Sequence, residues 1–236
     1  MNHKLAIFDL DNTLLDGDSD VLWGEFLIEH GLVDGHAYHQ ENQRFYREYE
    51  AGTLDIHAFL RFALKPLREH DPERLERLRH QFMAERIRPI IPPAARKLVQ
   101  RHAAADHTLL MITATNSFVT APIAREFGIR HLLATEPRRL GNHFTGEVDG
   151  VPCFREGKVT RYRQWLQAHR YQPTESWFYS DSHNDLPLLE HVTRPHAVNP
   201  DLTLRTHARN KGWPILNLRG EHIVVEPASH ASDDRR

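Results

Sequence analysis

Residues 5–15 read L-A-I-F-D-L-D-N-T-L-L, an apolar stretch that runs into two aspartates, Asp9 and Asp11. Side chains of a β-strand alternate between its faces, so the two carboxylates would share a face if the strand continued. Asn12 and Thr13 are turn-forming residues, which indicates that the strand ends here. Two buried carboxylates repel each other and lose hydration unless a cation or a reaction uses them. The stretch therefore predicts a ligand site at the carboxyl edge of an open α/β sheet, with a helix-capping Asp beside a turn Asp as the alternative.

The composition is that of an ordinary globular protein. The 236 residues suit one large domain, or one core domain with an insertion, and 40% of them are hydrophobic and 26% charged. A formal net charge of -2 predicts no nucleic-acid surface. The single cysteine, Cys153, excludes an internal disulfide and indicates a reducing compartment. Because no apolar run reaches the roughly 18 residues of a membrane span and no signal peptide is evident, we expect a cytoplasmic protein without a membrane partner.

Strand-like apolar runs alternate with helical segments along most of the chain. This alternation predicts an α/β fold with a doubly wound, mostly parallel sheet. The predicted strands are Leu5 to Phe8, Thr108 to Ile112, His131 to Thr135, Trp177 to Ser180, His196 to Val198 and Pro214 to Leu218. The helical segments between them are Pro92 to Ala104, Phe118 to Phe127, Lys158 to His169, Leu186 to His191 and Leu202 to Lys211.

Residues 18–88 break the alternation and predict an inserted α-helical cap above the carboxyl edge of the sheet. They indicate three or four amphipathic helices, one of them with Trp23, Phe26 and Leu27 on a single stripe. The predicted organisation is an α/β core at residues 1–17 and 89–220, a cap at residues 18–88 and a C-terminal tail at residues 221–236. Within the core, R-R-L-G-N-H-F-T-G-E-V at residues 138–148 predicts a β-hairpin with a Gly-Asn turn.

Two further positions favour an anion site. The second apolar strand ends in T-A-T-N, where the hydroxyl of Thr113 and the backbone amides from Ala114 onward precede a helix and suit an anion, although a plain helix cap is the alternative. Lys158 follows Glu156 and Gly157 at the start of a helix, where a cation is electrostatically unfavourable. A role with an anion offers a reason for that lysine, and an ordinary surface lysine is the alternative.

A fourth strand end supplies two more carboxylates. The strand W-F-Y-S leads into D-S-H-N-D, so that Asp181 and Asp185 can be presented by one tight turn. An aspartate-rich turn that caps the next helix is the alternative. Four strand ends that each deliver an acid, a hydroxyl or a cation are hard to explain by capping alone.

With these motifs in order, the sequence resembles the haloacid dehalogenase superfamily of phosphatases, in its phosphoserine-phosphatase-like and histidinol-phosphatase-like branch (subfamily IB). D-L-D-N-T-L matches the first motif of that superfamily, D-x-D-x-T-[LV]. The strand ending at Thr113 matches the second motif, Lys158 the third, and D-S-H-N-D the fourth. The resemblance covers roughly residues 5–189 and implies a helical cap between the first two motifs.

The resemblance implies Mg²⁺-dependent hydrolysis of a small phosphate ester. Asp9 would be the nucleophile that forms an aspartyl-phosphate, and Asp11 the general acid and base. Mg²⁺ prefers oxygen ligands and would be held by Asp9, Asp181 and the backbone carbonyl of Asp11, with Asp185 as a direct or outer ligand. The remaining expected contacts are Thr113, Ala114 and Lys158 to phosphate, and Asp18, Asn184 and His183 to substrate or in support of it.

The substrate is predicted from two cap positions. By position, Asp18 replaces the glutamate with which phosphoserine phosphatases meet the substrate amine. The arginine that meets their substrate carboxylate aligns with Ala63, and Arg61 lies on a different helix face. An amine partner without a carboxylate partner favours an amino-alcohol phosphate such as histidinol phosphate over phosphoserine.

Three alternatives stay open at this point. Phosphoserine hydrolysis would need another carboxylate partner. A phosphotransferase would use the same aspartyl-phosphate with an alcohol as acceptor. A non-catalytic phospho-ligand sensor would be expected to have lost Asp9, Asp11 or Lys158, and all three are present. His183 has a plain loop role as its alternative, and the oligomeric state cannot be read from the sequence.

Overall fold

A computed structural model describes residues 3–227 of the chain. Its centre is one mixed sheet of eight strands in the order β4-β3-β2-β1-β5-β6-β7-β8. The strands are β1 Lys4–Phe8, β2 Thr108–Asn116, β3 His131–Leu140, β4 His143–Asp149, β5 Glu175–Ser180, β6 Arg194–Val198, β7 Ile215–Asn217 and β8 Val224–Val225.

The α-helices fall into two groups by their place in the chain. Those of the insertion between β1 and β2 are α1 Ser19–Glu29, α2 Gly35–Glu50, α3 Ile56–Ala63, α4 Lys65–Glu69 and α5 Pro72–Phe82. Those that follow are α6 Pro93–Ala104, α7 Ser117–Glu126, α8 Glu156–Ala168, α9 Leu186–Leu189 and α10 Leu202–Lys211.

Strand β1 lies at the middle of the parallel part of the sheet. It pairs in parallel with β2 on one side and with β5 on the other, while the β3–β4 and β7–β8 pairs are antiparallel. Its side chains alternate between two apolar cores, with Leu5 and Ile7 in one and Ala6 and Phe8 in the other. Both faces of the sheet are therefore covered, which confirms the predicted α/β, doubly wound, mostly parallel fold.

The helical insertion, by which we mean α1 to α5, differs from the prediction in the number of its helices. Five α-helices are present in place of three or four, and a π-helical turn, Met83–Ile87, continues α5. Prolines lie at the starts of two of these helices: Pro66 is the second residue of α4 and Pro72 the first residue of α5. Proline has no backbone N–H, so it is favoured in the first turn of a helix, where that N–H would have no partner within the helix.

An aromatic cluster ties the insertion to the sheet. The rings of Trp23 and Phe82 meet edge to face at 5.1 Å, and Trp23 also lies 5.8 Å from Phe118 in α7. The predicted stripe residues Phe26 and Leu27 are fully buried. Such rings bury large apolar areas, so the cluster fixes the insertion above the sheet.

The predicted hairpin is found in the structure, whereas the predicted tail differs from expectation. The predicted hairpin is present as β3 and β4 around Gly141, and β4 packs beside α4. The predicted tail at residues 221–236 is structured at its start, because Val224 and Val225 pair with β7 as an antiparallel edge strand. Residues 228–236 of that tail lie outside the described part of the chain. Across the described residues, no helix has the length and apolarity needed to cross a membrane.

Candidate active site

A cavity of about 1080 Å³ opens at the carboxyl ends of β1, β2 and β5, beneath the insertion. It collects every side chain that the motifs predict for catalysis, metal binding and phosphate or substrate binding. The predicted residues that line it are Asp9, Asp11, Asp18, Thr113, Ala114, Lys158, Asp181, His183, Asn184 and Asp185.

Lys158 lies between two carboxylates at the floor of the cavity. Its Nζ atom donates to Oδ1 of Asp9 at 2.8 Å and to Oδ2 of Asp185 at 2.7 Å. Burial alone would lower the pKa of Lys158, but the charges of Asp185 and Asp9 outweigh it and raise the pKa. Lys158 is therefore a permanent cation rather than the surface lysine of the alternative interpretation.

Gly157 brings Lys158 to this position. It follows the first residue of α8, and a Cβ atom added to it would lie 2.0 Å from the carbonyl oxygen of Pro152. Only glycine permits that approach, so the start of α8 packs tightly against the preceding loop.

Asp9 is the more enclosed of the two first-motif aspartates, and its side chain is 9% exposed. Burial raises the pKa of Asp9 to about 7, and the charge of Lys158 acts in the opposite direction. Thr13 lies near the second oxygen, with its Oγ1 atom 3.3 Å from Oδ2 of Asp9 and 3.1 Å from Oδ1 of Asp181. The backbone N–H of Asp181 donates to the same hydroxyl at 3.0 Å, so Thr13 connects the first and fourth motifs.

Asp11 has partners different from those of Asp9. Its Oδ1 atom accepts from the backbone N–H of Ser19 at 2.7 Å, and its Oδ2 atom accepts from the hydroxyl of Thr115 at 2.9 Å. Burial and then the charge of Asp18 raise the pKa of Asp11 to about 7. A carboxyl group with a pKa near neutrality can both give and take a proton at physiological pH, as general acid–base catalysis requires.

The second motif lies inside a strand and not after it. Strand β2 continues to Asn116, four residues beyond its predicted end, with an irregular register against β3 between Ile112 and Asn116. Asn116 then caps α7 by accepting from the backbone N–H of Val119. Thr113 is buried, and its Oγ1 atom accepts from the backbone N–H of Thr115 at 3.2 Å.

The start of α1 forms an acidic wall of the cavity. Asp18 is the helix cap, because its Oδ1 atom accepts from the backbone N–H groups of Asp20 and Val21. Burial, followed by the charge of Asp20, raises the pKa of Asp18 to about 6. Burial and the charge of Asp11 raise the pKa of Asp20 to about 7. Asp18 thus has a structural role as a cap and also lines the cavity, and Asp20 stands beside it.

The fourth-motif turn is ordered by contacts within and beyond itself. Oδ2 of Asp185 accepts from the hydroxyl of Ser180 at 2.7 Å, in addition to Lys158. His183 is held from behind by Asp201, which accepts from its backbone N–H at 2.7 Å and lies 2.8 Å from its Nδ1 atom. Asn184 is 3% exposed and accepts from Nε of Arg155 at 2.8 Å.

The insertion supplies an aromatic and apolar roof. Its cavity-lining apolar side chains are Val21, Phe45, Tyr46, Tyr49, Leu54, Ile56 and Phe59. Neither Ala63 nor Arg61 lines the cavity, but Arg47 of α2 does. The Nε atom of Arg47 donates to the carbonyl of Gln43. The position aligned with the phosphoserine carboxylate partner therefore does not line the cavity, and an arginine enters the cavity wall at another place.

The donor set suits a hard cation of small size. Burial and then the charge of Asp9 raise the pKa of Asp181 well above its usual value, so this region carries more negative charge than Lys158 alone offsets. Within residues 3–227, no three acidic, histidine or cysteine side chains converge as a metal site. The predicted set is smaller, with two carboxylates and one backbone carbonyl, and Mg²⁺ commonly keeps several waters.

Members of the predicted metal set also bind protein groups. Both carboxylate oxygens of Asp11 are held, by Ser19 and Thr115, so only its backbone carbonyl is left for a metal. Lys158 and Ser180 both bind Oδ2 of Asp185, which leaves its Oδ1 atom for a direct or an outer contact with a cation. Asp9 is engaged at Oδ1 by Lys158 and at Oδ2 by Thr13.

Some residues of the site were missed by the sequence reasoning. Thr13 belongs to the first motif and was quoted there, so its position could have identified it. Thr115, Asp20 and Arg155 had no such signal, because their roles depend on which distant residues they meet. Cys153 is buried, and burial raises the pKa of its thiol to about 12, which disfavours a nucleophilic thiolate.

The chain is similar to a known family of hydrolases over most of its length. The model of the family described as haloacid dehalogenase-like hydrolase matches residues 6–190. A histidinol-phosphatase of Neisseria meningitidis serogroup C (strain 8013) is 47% identical over 221 residues, which are 92% of this chain and 99% of that protein.

Two solved structures have folds similar to that of this chain. A crystal structure of a protein of unknown function from Bordetella pertussis Tohama I superposes with a TM-score of 0.86 at 44% identity, over 91% of this chain and 98% of the other. A substrate-bound complex of phosphoserine phosphatase superposes with a TM-score of 0.66 at 16% identity, over 93% and 94% of the two chains. At 16% identity, the similarity to phosphoserine phosphatase shows a shared fold only.

Proposed function

The chain belongs to the haloacid dehalogenase-like hydrolases and is a phosphatase of that family, and we propose that it hydrolyses histidinol phosphate with Mg²⁺ as cofactor. The observation that carries the chemistry is the different environment of two neighbouring acids. Both carboxyl groups have a pKa of about 7, but Asp9 is paired with a buried cation that favours its ionised form, while Asp11 is held by a hydroxyl and an amide and lies near Asp18, whose charge favours the protonated form. One acid is thereby suited to act as nucleophile and the other to carry a proton.

In the proposed reaction, a carboxylate oxygen of Asp9 attacks phosphorus and the bond to the alkoxide breaks. The alkoxide takes the proton of Asp11 and leaves as the alcohol. Water then attacks the aspartyl-phosphate and gives its proton to Asp11, which releases inorganic phosphate and regenerates Asp9. Lys158, Thr113 and the amide of Ala114 would hold phosphoryl oxygens, and positioning and charge neutralisation supply most of the rate.

We propose that Asp9, Asp181 and the backbone carbonyl of Asp11 hold Mg²⁺, with Asp185 behind them. The cation would offset the excess of carboxylates at this point and neutralise charge on the phosphoryl group. The raised pKa of Asp181 and the all-oxygen character of the donors support this assignment.

The walls of the cavity support a cationic, partly aromatic substrate. Asp18 and Asp20 line one side, and Phe45, Tyr46 and Phe59 line the roof. Histidinol phosphate carries an ammonium group and an imidazole ring, which suit a carboxylate pair and an aromatic roof respectively. The substrate named for the relative from Neisseria meningitidis has this chemistry.

Arg47 favours a second candidate substrate, phosphoserine. It brings a guanidinium into the cavity wall, and such a group binds a carboxylate well. Arg47 is exposed on α2, whereas the two aspartates stand at the start of α1 beside the catalytic acid. Carboxylates near the bound substrate would repel that of phosphoserine, so we place it second.

The test is phosphate release by the purified protein with Mg²⁺ or with EDTA. The panel contains histidinol phosphate, phosphoserine and p-nitrophenyl phosphate, without any added alcohol. We expect Mg²⁺-dependent release with the largest kcat/KM for histidinol phosphate. A larger value for phosphoserine would move the assignment to that ester, and release only after addition of an acceptor alcohol would indicate a phosphotransferase.

Asp9→Asn is the matched variant for this assay. It keeps the size of the side chain but removes the nucleophilic oxygen, so turnover should be abolished while the fold persists. Substantial phosphate release by pure Asp9→Asn would contradict the proposed mechanism.

A further inference from the structure

We propose that Arg155 is a positioning residue that links the helical insertion to the fourth-motif turn and fixes the side-chain amide of Asn184 for the reaction. The inference rests on the proposed phosphatase function of this cavity. Arg155 itself does not line the cavity, so it would act through the groups that it holds.

One guanidinium bridges two distant segments. Nε of Arg155 donates to Oδ1 of Asn184 at 2.8 Å, and Nη2 donates to the backbone carbonyl of Gly52 at 2.7 Å. Gly52 follows α2 in the insertion, whereas Asn184 lies in the turn after β5. The planar guanidinium can direct two donors at once, which the single ammonium of a lysine reproduces poorly.

The backbone around both ends of this bridge is unusual. Arg155 has a φ angle of 49° directly before α8, a conformation that residues with a side chain rarely adopt. Its carbonyl accepts from the backbone N–H of Lys158 at 2.9 Å, so the same residue also braces the lysine of the third motif. A Cβ atom added to Gly52 would lie 2.9 Å from Nη2 of Arg155, which shows how closely the two segments meet. Strain of this kind is kept where surrounding contacts demand it.

The bond from Arg155 determines which end of the Asn184 amide faces which neighbour. A guanidinium has only donors, so its partner on the Asn184 side chain must be the oxygen Oδ1 and not the amide nitrogen. Nδ2 of Asn184 then lies on the other side, 3.3 Å from Oγ of Ser182. Its remaining hydrogen is available to an anionic ligand of the cavity. A flipped amide would present an oxygen to a phosphoryl group and repel it.

A second contact from the insertion meets the same turn. The hydroxyl of Tyr49 donates to Oγ of Ser182 at 2.8 Å, and the Tyr49 ring lies 6.1 Å from that of Phe154. Oγ of Ser182 also accepts from the backbone N–H of Asn184 at 3.2 Å. The insertion therefore holds the turn through Ser182 and through Arg155. If it moved away, the amide of Asn184 would lose its support, so closure over substrate and orientation of the amide are coupled.

A double-mutant cycle tests whether Arg155 acts through Asn184. Arg155→Gln and Asn184→Ala are measured alone and together, with kcat and KM for p-nitrophenyl phosphate and histidinol phosphate. We expect Arg155→Gln to lower kcat/KM at least tenfold, and the double variant to be no slower than Asn184→Ala alone. Arg155→Lys should recover only part of the loss. Losses that multiply in the double variant, or an unchanged Arg155→Gln, would overturn the proposal.

Arg170→Gln is the matched control for the backbone. Arg170 has a φ angle of 48° just after α8 and is exposed, so it shares the positive φ angle of Arg155 at the opposite end of the same helix. Its substitution should leave kcat and KM unchanged. If Arg155→Gln fails to fold, the cycle is carried out with Arg155→Lys, for which the same non-additivity is required.

Hydrogen exchange provides a readout that needs no substrate. In Arg155→Gln, backbone amides of residues 49–54 should exchange faster than in the wild type, while those of β1 and β5 remain protected. Unchanged exchange at residues 49–54 would refute the link to the insertion. A wild-type protein that releases no phosphate from any ester would instead refute the proposed function, and the exchange result would still decide the contact.

Discussion

Nζ of Lys158 lies 2.8 Å from Oδ1 of Asp9, and both side chains are almost fully buried. Only charge pairing makes such burial tolerable, because an isolated ionised group loses much of its hydration in a protein interior. The same ammonium also binds Asp185, so one cation offsets two acids from different motifs. The pair therefore fixes the geometry of Asp9, the proposed nucleophile, before any ligand binds.

Replacing Lys158 by Met should remove most activity and also alter stability. The neutral side chain cannot stabilise charge on the phosphoryl group, so kcat should fall by about a hundredfold to a thousandfold. It also leaves Asp9 and Asp185 without their cation, which raises the pKa of Asp9 further. Phosphate release and thermal unfolding measured together check this, and a variant with wild-type kcat would contradict the assignment. Lys97→Met, at an exposed position of α6, is the control.

Asp11→Asn should slow both chemical steps, by about a hundredfold to ten-thousandfold for an alkyl ester. A p-nitrophenolate leaving group needs little help from an acid, so formation of the aspartyl-phosphate should suffer less with p-nitrophenyl phosphate. Hydrolysis of the aspartyl-phosphate would then limit turnover. Rapid mixing should show a burst of one p-nitrophenol per protein followed by a slow phase. If turnover fell equally for both esters and no burst was seen, the result would argue against general acid–base catalysis by Asp11.

Asp20→Asn tests the acidic wall of the cavity. Loss of a charge-assisted contact should lower kcat/KM for histidinol phosphate roughly ten- to hundredfold, with little change for p-nitrophenyl phosphate. Glu73→Gln is the matched control, because Glu73 also lies in the first turn of an insertion helix but is exposed. A loss that is equal for both esters would indicate a role in helix stability.

A pair of histidines, His102 and His107, predicts that the folded state loses stability in acid. Nδ1 of His102 lies 2.7 Å from Nδ1 of His107, and Nε2 lies 2.8 Å from the hydroxyl of Tyr179. Burial, followed by the charge of His107, lowers the pKa of His102 to about 4 from its usual 6.5. The folded state thus favours the neutral ring, and the associated stability is present above pH 6.5 and is lost as the pH falls toward 4.

The free energy of unfolding should therefore drop by as much as about 3 kcal/mol between pH 7 and pH 4 from this residue. Urea unfolding at several pH values measures it. His102→Gln should be less stable at pH 7 but show a flatter pH profile in this window. A profile as steep as that of the wild type would assign the acid sensitivity to other groups.

The sequence by itself predicted which acidic and basic side chains of this protein meet in one cavity. Asp9, Asp11, Lys158, Asp181 and Asp185 each follow an apolar run or open a helix, and parallel strands bring such ends to one edge. Local patterns suffice there, because strand alternation and turn residues are properties of neighbours in the chain. For the same reason the sheet and the β-hairpin were predictable, while the division of the insertion into five helices and the length of β2 were not.

Only the tertiary structure decided what surrounds those residues. Asp20 lines the cavity at the start of α1, whose Trp23 packs against Phe118 of α7, and Thr115 reaches Asp11 because β2 continues past its expected end. Arg155 meets Gly52 across 103 positions of the chain. Contacts of this kind arise from the packing of the insertion on the sheet, which no local pattern encodes. The chain thus specifies its reaction through short motifs, and the shape of its cavity and the hold on Asn184 through long-range packing.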